Sequence, residues 1–415
     1  MLNRTLRDYQ KRIGEEACEK LKKLGFIYIS AEVRTGKTLM ALETARLYGS
    51  KKVLFVTKIK AKDSINKDYI NFGYNSHFEL EVINTESMHK AKISPELVIN
   101  DESHKFGAFP KPSKGQKTFK DMFGHLPVIC LSGTPCPESY SQLFHQFSLT
   151  DFAPFSDYTN FYRWADDFVI KKQRKLPHGI ITDYSNAKKE KILDVLNDYF
   201  ITFTQKDAGF STEINEKILT VEMPATIKKI IERLNRDKIV QGREEVILAD
   251  TALKLMQKTH QLSSGTVIFE GGKSIVIDDF KARFVSEHFK GKKIALFYKF
   301  KAELEAISTY LDVTDNLDEF NSSNKSIALQ IVSGREGLNL SKAEALVFYN
   351  IDFSAVSYWQ ARDRLTTQDR KNNEVYWIFS DFGIEKEIHD AVSQKKDYTL
   401  SIFNRKWKSK NYKEI

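Results

Sequence analysis

Ala31-Glu32-Val33-Arg34-Thr35-Gly36-Lys37-Thr38 lies between an apolar run, Phe26-Ile27-Tyr28-Ile29, and a helix-like stretch from Thr38 through Leu39, Leu42, Ala45 and Arg46 to a stop near Gly49. Strand, loop and helix around a terminal Gly-Lys-Thr is the order of a phosphate-binding loop. In such a loop, backbone N–H groups around Gly36 close on phosphate oxygens at a helix N-terminus. Lys37 reaches the β- and γ-phosphates, and the Thr38 hydroxyl ligates Mg²⁺. Arg34 and Thr35 belong to the same run of expected nucleotide contacts. The strict pattern has glycine where Ala31 stands, so a chance Gly-Lys-Thr at a helix start competes with this reading until the rest of the chain is weighed.

The chain has 415 residues, too many for one compact core, so two domains are expected. A net charge of +9 suits a polyanionic partner, although a basic surface without one has the same composition. Cys18, Cys130 and Cys136 are too few and wrongly spaced for a zinc site or a disulfide framework, which fits a reducing cytoplasm. No apolar run approaches membrane-spanning length, and the first residues lack the apolar segment of an export signal. A monomer is expected.

Short apolar runs alternate with helical patterns: Val53 to Val56, Leu97 to Ile99 and Val128 to Leu131. A second series runs through Ile294 to Tyr298, Ile327 to Ile331, Leu346 to Tyr349 and Val375 to Phe379. This alternation predicts an α/β protein with two parallel sheets. Between the series the strand rhythm fades, and Ile227, Ile230, Ile231 and Leu234 mark an amphipathic helix. The expected layout is a first domain over 1–205, a mainly helical insertion and linker over 206–270, and a second domain over 271–415.

Asp101 and Glu102 follow the run Leu97 to Ile99, at the carboxyl end of a parallel strand, where open α/β sheets bind ligands. Hydrolysing ATP requires one carboxylate to hold Mg²⁺ and a neighbour to orient and deprotonate water, which Asp101 and Glu102 suit in that order. Ser132-Gly133-Thr134 follows another apolar run and brings small polar residues to the same edge. Thr57, Lys58, Thr85 and Ser87 are donors that also follow strands; they suit phosphate oxygens of a nucleic acid or, equally, helix capping. Lys111, Lys114, Lys117 and Lys120 form one basic run and Lys171, Lys172, Arg174 and Lys175 another, read as phosphate neutralisation or as solvated loop charge. The basic, aromatic tail from Asn404 to Lys413 carries the same two readings.

In order and spacing, these segments resemble the motifs of superfamily 2 helicases and translocases, and among them the Snf-type ATPases of the compact phage and bacterial kind. The resemblance spans nearly the whole chain. It implies two RecA-like domains in tandem with a helical insertion, and an ATP hydrolase that uses Mg²⁺ and moves along DNA, duplex or branched, in replication, recombination or repair. Gln10, within Leu6-Arg7-Asp8-Tyr9-Gln10, matches the adenine-binding glutamine. Ala31 to Thr38 matches motif I, where the family tolerates the alanine. Val53 to Lys58 resembles motif Ia, Val82 to Ser87 motif Ib, Asp101 to His104 motif II, and Ser132-Gly133-Thr134 the coupling motif III.

In the second half, Ile294 to Phe300 resembles motif IV, placing Lys299 among the nucleic-acid contacts. Ser333 to Leu340 resembles motif V, with Ser333 toward nucleic acid and Gly337 toward nucleotide. Tyr358 to Arg364 resembles motif VI, in which Gln360 meets the γ-phosphate region and Arg364 acts as the arginine finger. The family's second arginine is replaced by Thr367, so either Arg362 or Arg370 substitutes or Arg364 works alone. Two other readings stay open: a strand-separating DNA or RNA helicase, and an ATP-gated nucleic-acid clamp with weak turnover.

Overall fold

The computed structural model describes residues 5–137, 139–176, 179–209, 213–242, 245–331, 340–354, 357–358 and 372–394. The chain divides into two compact units, Met1–Phe210 and Ser211–Ile415. The first unit opens with helix α1 (Asp8–Leu24), strand β1 (Phe26–Ala31), helix α2 (Lys37–Tyr48), β2 (Lys52–Thr57) and α3 (Lys62–Asn71). It continues through β3 (Glu79–Asn84), β4 (Leu97–Asn100), α4 (Lys114–Phe123) and β5 (Val128–Ser132). A hairpin of β6 (Lys172–Leu176) and β7 (Gly179–Asp183) precedes a last strand, β8 (Phe200–Phe203). Apart from the hairpin, these strands form one parallel sheet in the order β3-β2-β4-β5-β1-β8.

Parallel strands joined by crossover helices are covered on both faces, which is why they read as continuous apolar runs. Successive side chains nevertheless point to opposite faces. Phe26 and Tyr28 join one core with Val56, Val98 and Cys130, whereas Ile27, Ile29 and Ala31 join the other with Phe55, Ile99 and Leu131. The sheet is therefore sandwiched, and its ligand-accessible border is the row of strand ends.

The second unit repeats the scheme around one core. Its strands are β9 (Glu213–Val221), the hairpin pairs β10 (Ile239–Gln241) with β11 (Val246–Leu248) and β12 (Thr266–Ile268) with β13 (Ser274–Val276), then β14 (Ile294–Tyr298), β15 (Val313–Thr314), β16 (Ser326–Gln330), β17 (Ala345–Phe348) and β18 (Asn372–Ser380). The parallel sheet runs β15-β16-β14-β17-β18-β9. The two tandem parallel sheets expected from the apolar runs are thus present, each in its own α/β unit.

Between the two apolar series, the amphipathic stripe forms the helix Ala225–Asp237 with Ile227, Ile231 and Leu234 buried, and a second helix covers Ala252–Leu262. The same stretch also supplies β9, which pairs along its whole length with β18 at the border of the second sheet. An edge strand leaves residues such as Ile218 in solvent and interleaves them with Glu216 and Lys217, so a search for apolar runs passes over it. Among the described residues no helix is long and apolar enough to cross a membrane.

Two buried polar groups in the second unit have measurable consequences. Lys281 and Glu385 form a 2.9 Å ion pair with both side chains fully buried, and Lys281 also donates to the Tyr349 carbonyl at 3.0 Å. Removing one partner strands the other charge. Lys281→Met is therefore expected to cost about 3–5 kcal/mol in denaturant unfolding of this unit, and Lys281→Met with Glu385→Leu substantially less.

His260 is buried, donates through Nε2 to Asn350 Oδ1 at 2.6 Å, and lies against the Phe300 and Phe353 rings. Desolvation, then the charges of Lys299 and Lys281, hold its pKa well below the ordinary 6.5, so it folds neutral. The unfolded chain takes up this proton first as pH falls. Stability should therefore be level above about pH 6.5 and decline below it, by at most about 1.4 kcal/mol per pH unit from this group. Comparing His260→Gln with the parent across pH 5–8 should show a flatter profile in the variant.

Candidate active site

The candidate residues collect at the carboxyl border of the first sheet because parallel pairing brings equivalent strand ends side by side. Ser30 pairs with Ser132, Asn100 with Cys130, and Val56 with Asn100. The order β3-β2-β4-β5-β1 consequently aligns Thr85, Thr57, Asp101, Ser132 and the loop after Ala31 along one edge.

Gly36 caps α2 with φ of 85°, a left-handed conformation that glycine adopts without strain. A β-carbon there would also fall 2.2 Å from Gln10 Nε2. Gln10 is buried in the first turn of α1, accepts from the Arg7 N–H at 3.0 Å, and donates to the Thr35 carbonyl at 3.4 Å. The residue expected at adenine therefore ties α1 to the loop. Thr35 donates its hydroxyl to the Glu32 carbonyl at 2.7 Å. Arg34 has φ of 64°.

Lys37 and Thr38 begin α2 and are partly exposed. The Lys37 ammonium donates to the carbonyls of Ala31 at 2.8 Å and Glu32 at 3.2 Å. The protein around it lowers its pKa by desolvation, a shift opposed by Glu102, Asp101 and Glu32. Gly133 stands beside it: a β-carbon on Gly133 would lie 3.6 Å from Lys37 Nζ.

Asp101 accepts from the Thr57 hydroxyl at 2.8 Å and from the Glu102 N–H at 3.0 Å. Glu102 has φ of 53°; with Arg34, it is one of three non-glycine residues of positive φ among the described residues, and these two flank the site. Lys58 Nζ lies 3.4 Å from Glu102 Oε1, and His104 Nδ1 lies 3.2 Å from Glu102 Oε2. His104 Nδ1 is also 3.0 Å from Ser132 Oγ, which accepts from the Thr134 N–H at 3.1 Å. Desolvation and then the neighbouring Glu102 charge raise the Asp101 pKa. Burial works against the Glu102 carboxylate as well, but His104, Lys58 and Lys37 outweigh it and hold its pKa down.

Thr57 and Lys58, expected at nucleic-acid phosphates, instead face the acid pair; Thr57 is only 1% exposed. The cause is the position of β2 directly beside β4. Lys299 likewise pairs with Asp352 at 2.6 Å. Thr85 and Ser87 remain partly exposed on the turn after β3, with Thr85 Oγ1 3.5 Å from the Thr57 carbonyl. Ser333, Gly337, Gln360, Arg362, Arg364, Thr367 and Arg370 lie outside the described residues.

Sequence reading missed Gln205, which donates its N–H to the Glu32 carboxylate at 2.7 Å and its side-chain amide to the Val33 carbonyl at 3.0 Å. Only the pairing of β8 with β1 brings it to the loop. Chemically, the edge offers an ammonium and helix N–H groups suited to phosphate, and hydroxyl and carboxylate oxygens suited to a hard cation. Among the described residues no group of three or more His, Cys, Asp and Glu forms a metal cage. Magnesium bound with a nucleotide needs only one or two protein carboxylates, and Asp101 supplies one at this edge.

Neither a protein-family model nor a curated protein matches this sequence. Among solved structures, the chain is similar to the Sulfolobus solfataricus SWI2/SNF2 ATPase core in complex with dsDNA, with 15% identity and a TM-score of 0.42 over 99% of this chain and 94% of that one. It is also similar to the Sulfolobus solfataricus SWI2/SNF2 ATPase core domain, with 16% identity and a TM-score of 0.43 over 94% and 89%.

The contact between Gln10 and Gly36 can be tested by a double-mutant cycle. Gly36→Ala combines a steric clash with about 1–2 kcal/mol of left-handed backbone strain. It should destabilise the first unit and weaken nucleotide binding. Adding Gln10→Ala should recover the clash component alone, read as non-additive unfolding energies.

Proposed function

We propose that this chain is an ATP-dependent DNA translocase of the SWI2/SNF2 kind within superfamily 2. The observation that carries this reading is the convergence of Lys37, Asp101 and Glu102 at one sheet edge, in the motif order found in the sequence. Lys37, with the backbone of Arg34, Thr35, Gly36 and Thr38, binds the phosphates of ATP, and Gln10 braces that loop. Thr38 and Asp101 would hold Mg²⁺, which supplies charge neutralisation at the phosphates.

Glu102 stays ionised at neutral pH and orients the attacking water, with Lys58 and His104 fixing its carboxylate. Ser132, through His104, ties the segment ending in Gly133 and Thr134 to this carboxylate, a route by which ATP state reaches the coupling motif. Gln360, Arg364 and Gly337 keep the roles implied by the motif resemblance. The net charge of +9 supports a polyanionic partner, and the motif set favours DNA, duplex or branched, engaged through its backbone.

Hydrolysis assays with duplex, branched and single-stranded DNA and with RNA test the reading, and triplex displacement tests movement. The parent should hydrolyse ATP briskly with duplex DNA and displace a triplex strand. Lys37→Ala should abolish the stimulated activity, whereas Glu102→Gln should retain ATP binding and lose roughly 10²–10⁴ in kcat. DNA-stimulated hydrolysis surviving in Lys37→Ala would falsify the site assignment, and ATP binding without turnover in the parent would point to a clamp.

A further inference from the structure

From Ser103 to Lys120 the chain contains five lysines and no aspartate or glutamate. Three of them, Lys111, Lys114 and Lys117, are exposed and make no ion pair among the described residues. Some lysines elsewhere on the surface pair with carboxylates, as Lys217 does with Glu374 and Lys325 with Glu319. Asp121 shares the helix with Lys114 and Lys117 but forms no ion pair with them among the described residues, so the three lysines keep a local positive charge.

The cluster is held in place from behind. Helix α4 buries Gln116, Phe119 and Phe123, leaving Lys114 and Lys117 on its outer side. Ser113 caps its start by accepting from the Gln116 N–H, while His145 Nε2 binds the Pro110 carbonyl at 3.0 Å beside Lys111. The lysine bases are therefore preorganised, although the ammonium groups can rotate to meet different phosphate positions.

This surface adjoins the acid pair. A β-carbon at Gly115 would lie 3.2 Å from Thr85 Cγ2, so α4 approaches the turn after β3 closely; Thr85 in turn contacts Thr57, the Asp101 partner. Lys114 and Lys117 are separated by a helical rise of about 4.5 Å, whereas duplex DNA carries one charge per about 1.7 Å of axis, so each lysine can meet a phosphate.

We infer that Lys111, Lys114 and Lys117 on and before α4 form a docking surface for the phosphodiester backbone of duplex DNA. This rests on the proposed DNA-dependent reading and adds a contact surface outside the motifs. Lysine point charges confer affinity without base selectivity.

The test is fluorescence-anisotropy titration of the full chain with labelled duplex DNA, without ATP, across a salt series. Replacing the three lysines by glutamine should weaken binding roughly tenfold or more at about 0.1 M salt and reduce the magnitude of the log–log salt slope by about 2–3. Replacement of all three by arginine should preserve affinity and slope. An unchanged slope in the glutamine variant, or equal loss in the arginine variant, overturns the surface; preferential loss of RNA binding overturns its assignment to duplex DNA. Failure of the parent to bind any nucleic acid overturns the proposed function itself, a distinguishable result.

Discussion

Two adjacent carboxylates at a partly desolvated sheet edge cannot both remain charged unless cations and hydrogen-bond donors stand against them. Glu102 meets this requirement through His104, Lys58 and Lys37, whereas for Asp101 the Thr57 hydroxyl and Lys37 offset burial and the Glu102 charge only in part. Thr57, Lys58 and Lys37 are delivered by their strands' places in the sheet, and His104 by the same loop as the acid pair. The order β3-β2-β4-β5-β1 is thus both an architectural fact and the reason that the acid pair has an ordered electrostatic environment.

The same requirement explains why the segment from Ser132 to Thr134 and the acid pair are one network. His104 touches both the Glu102 carboxylate and the Ser132 hydroxyl, so displacement of the segment from Ser132 to Thr134 cannot leave Glu102 unaffected. Lys58 extends the network in the opposite direction, to the end of β2.

In the second unit, buried charge serves the fold. Lys281 and Glu385 satisfy one another inside the core, and Asn350 links His260 to Glu303 beneath the carboxyl ends of β14 and β17. Lys299 belongs to this edge through Asp352. A lysine after a strand can thus serve as an internal ion-pair partner instead of an external phosphate contact, and its strand neighbours decide which.

The apolar runs by themselves determined the two parallel sheets, because strands buried on both faces must be continuously apolar. The loop at Ala31 to Thr38 was legible as a candidate phosphate site because a helix start, a lysine and a hydroxyl are neighbours in sequence. Edge strand β9 was less visible, since one side of an edge needs no apolar partner. The roles of Thr57 and Lys58, the bracing of the loop by Gln10 and Gln205, and the His104 bridge were decided only by tertiary structure. These contacts depend on which strands lie side by side, and strand order is set by packing of the whole sheet, which no local spacing records.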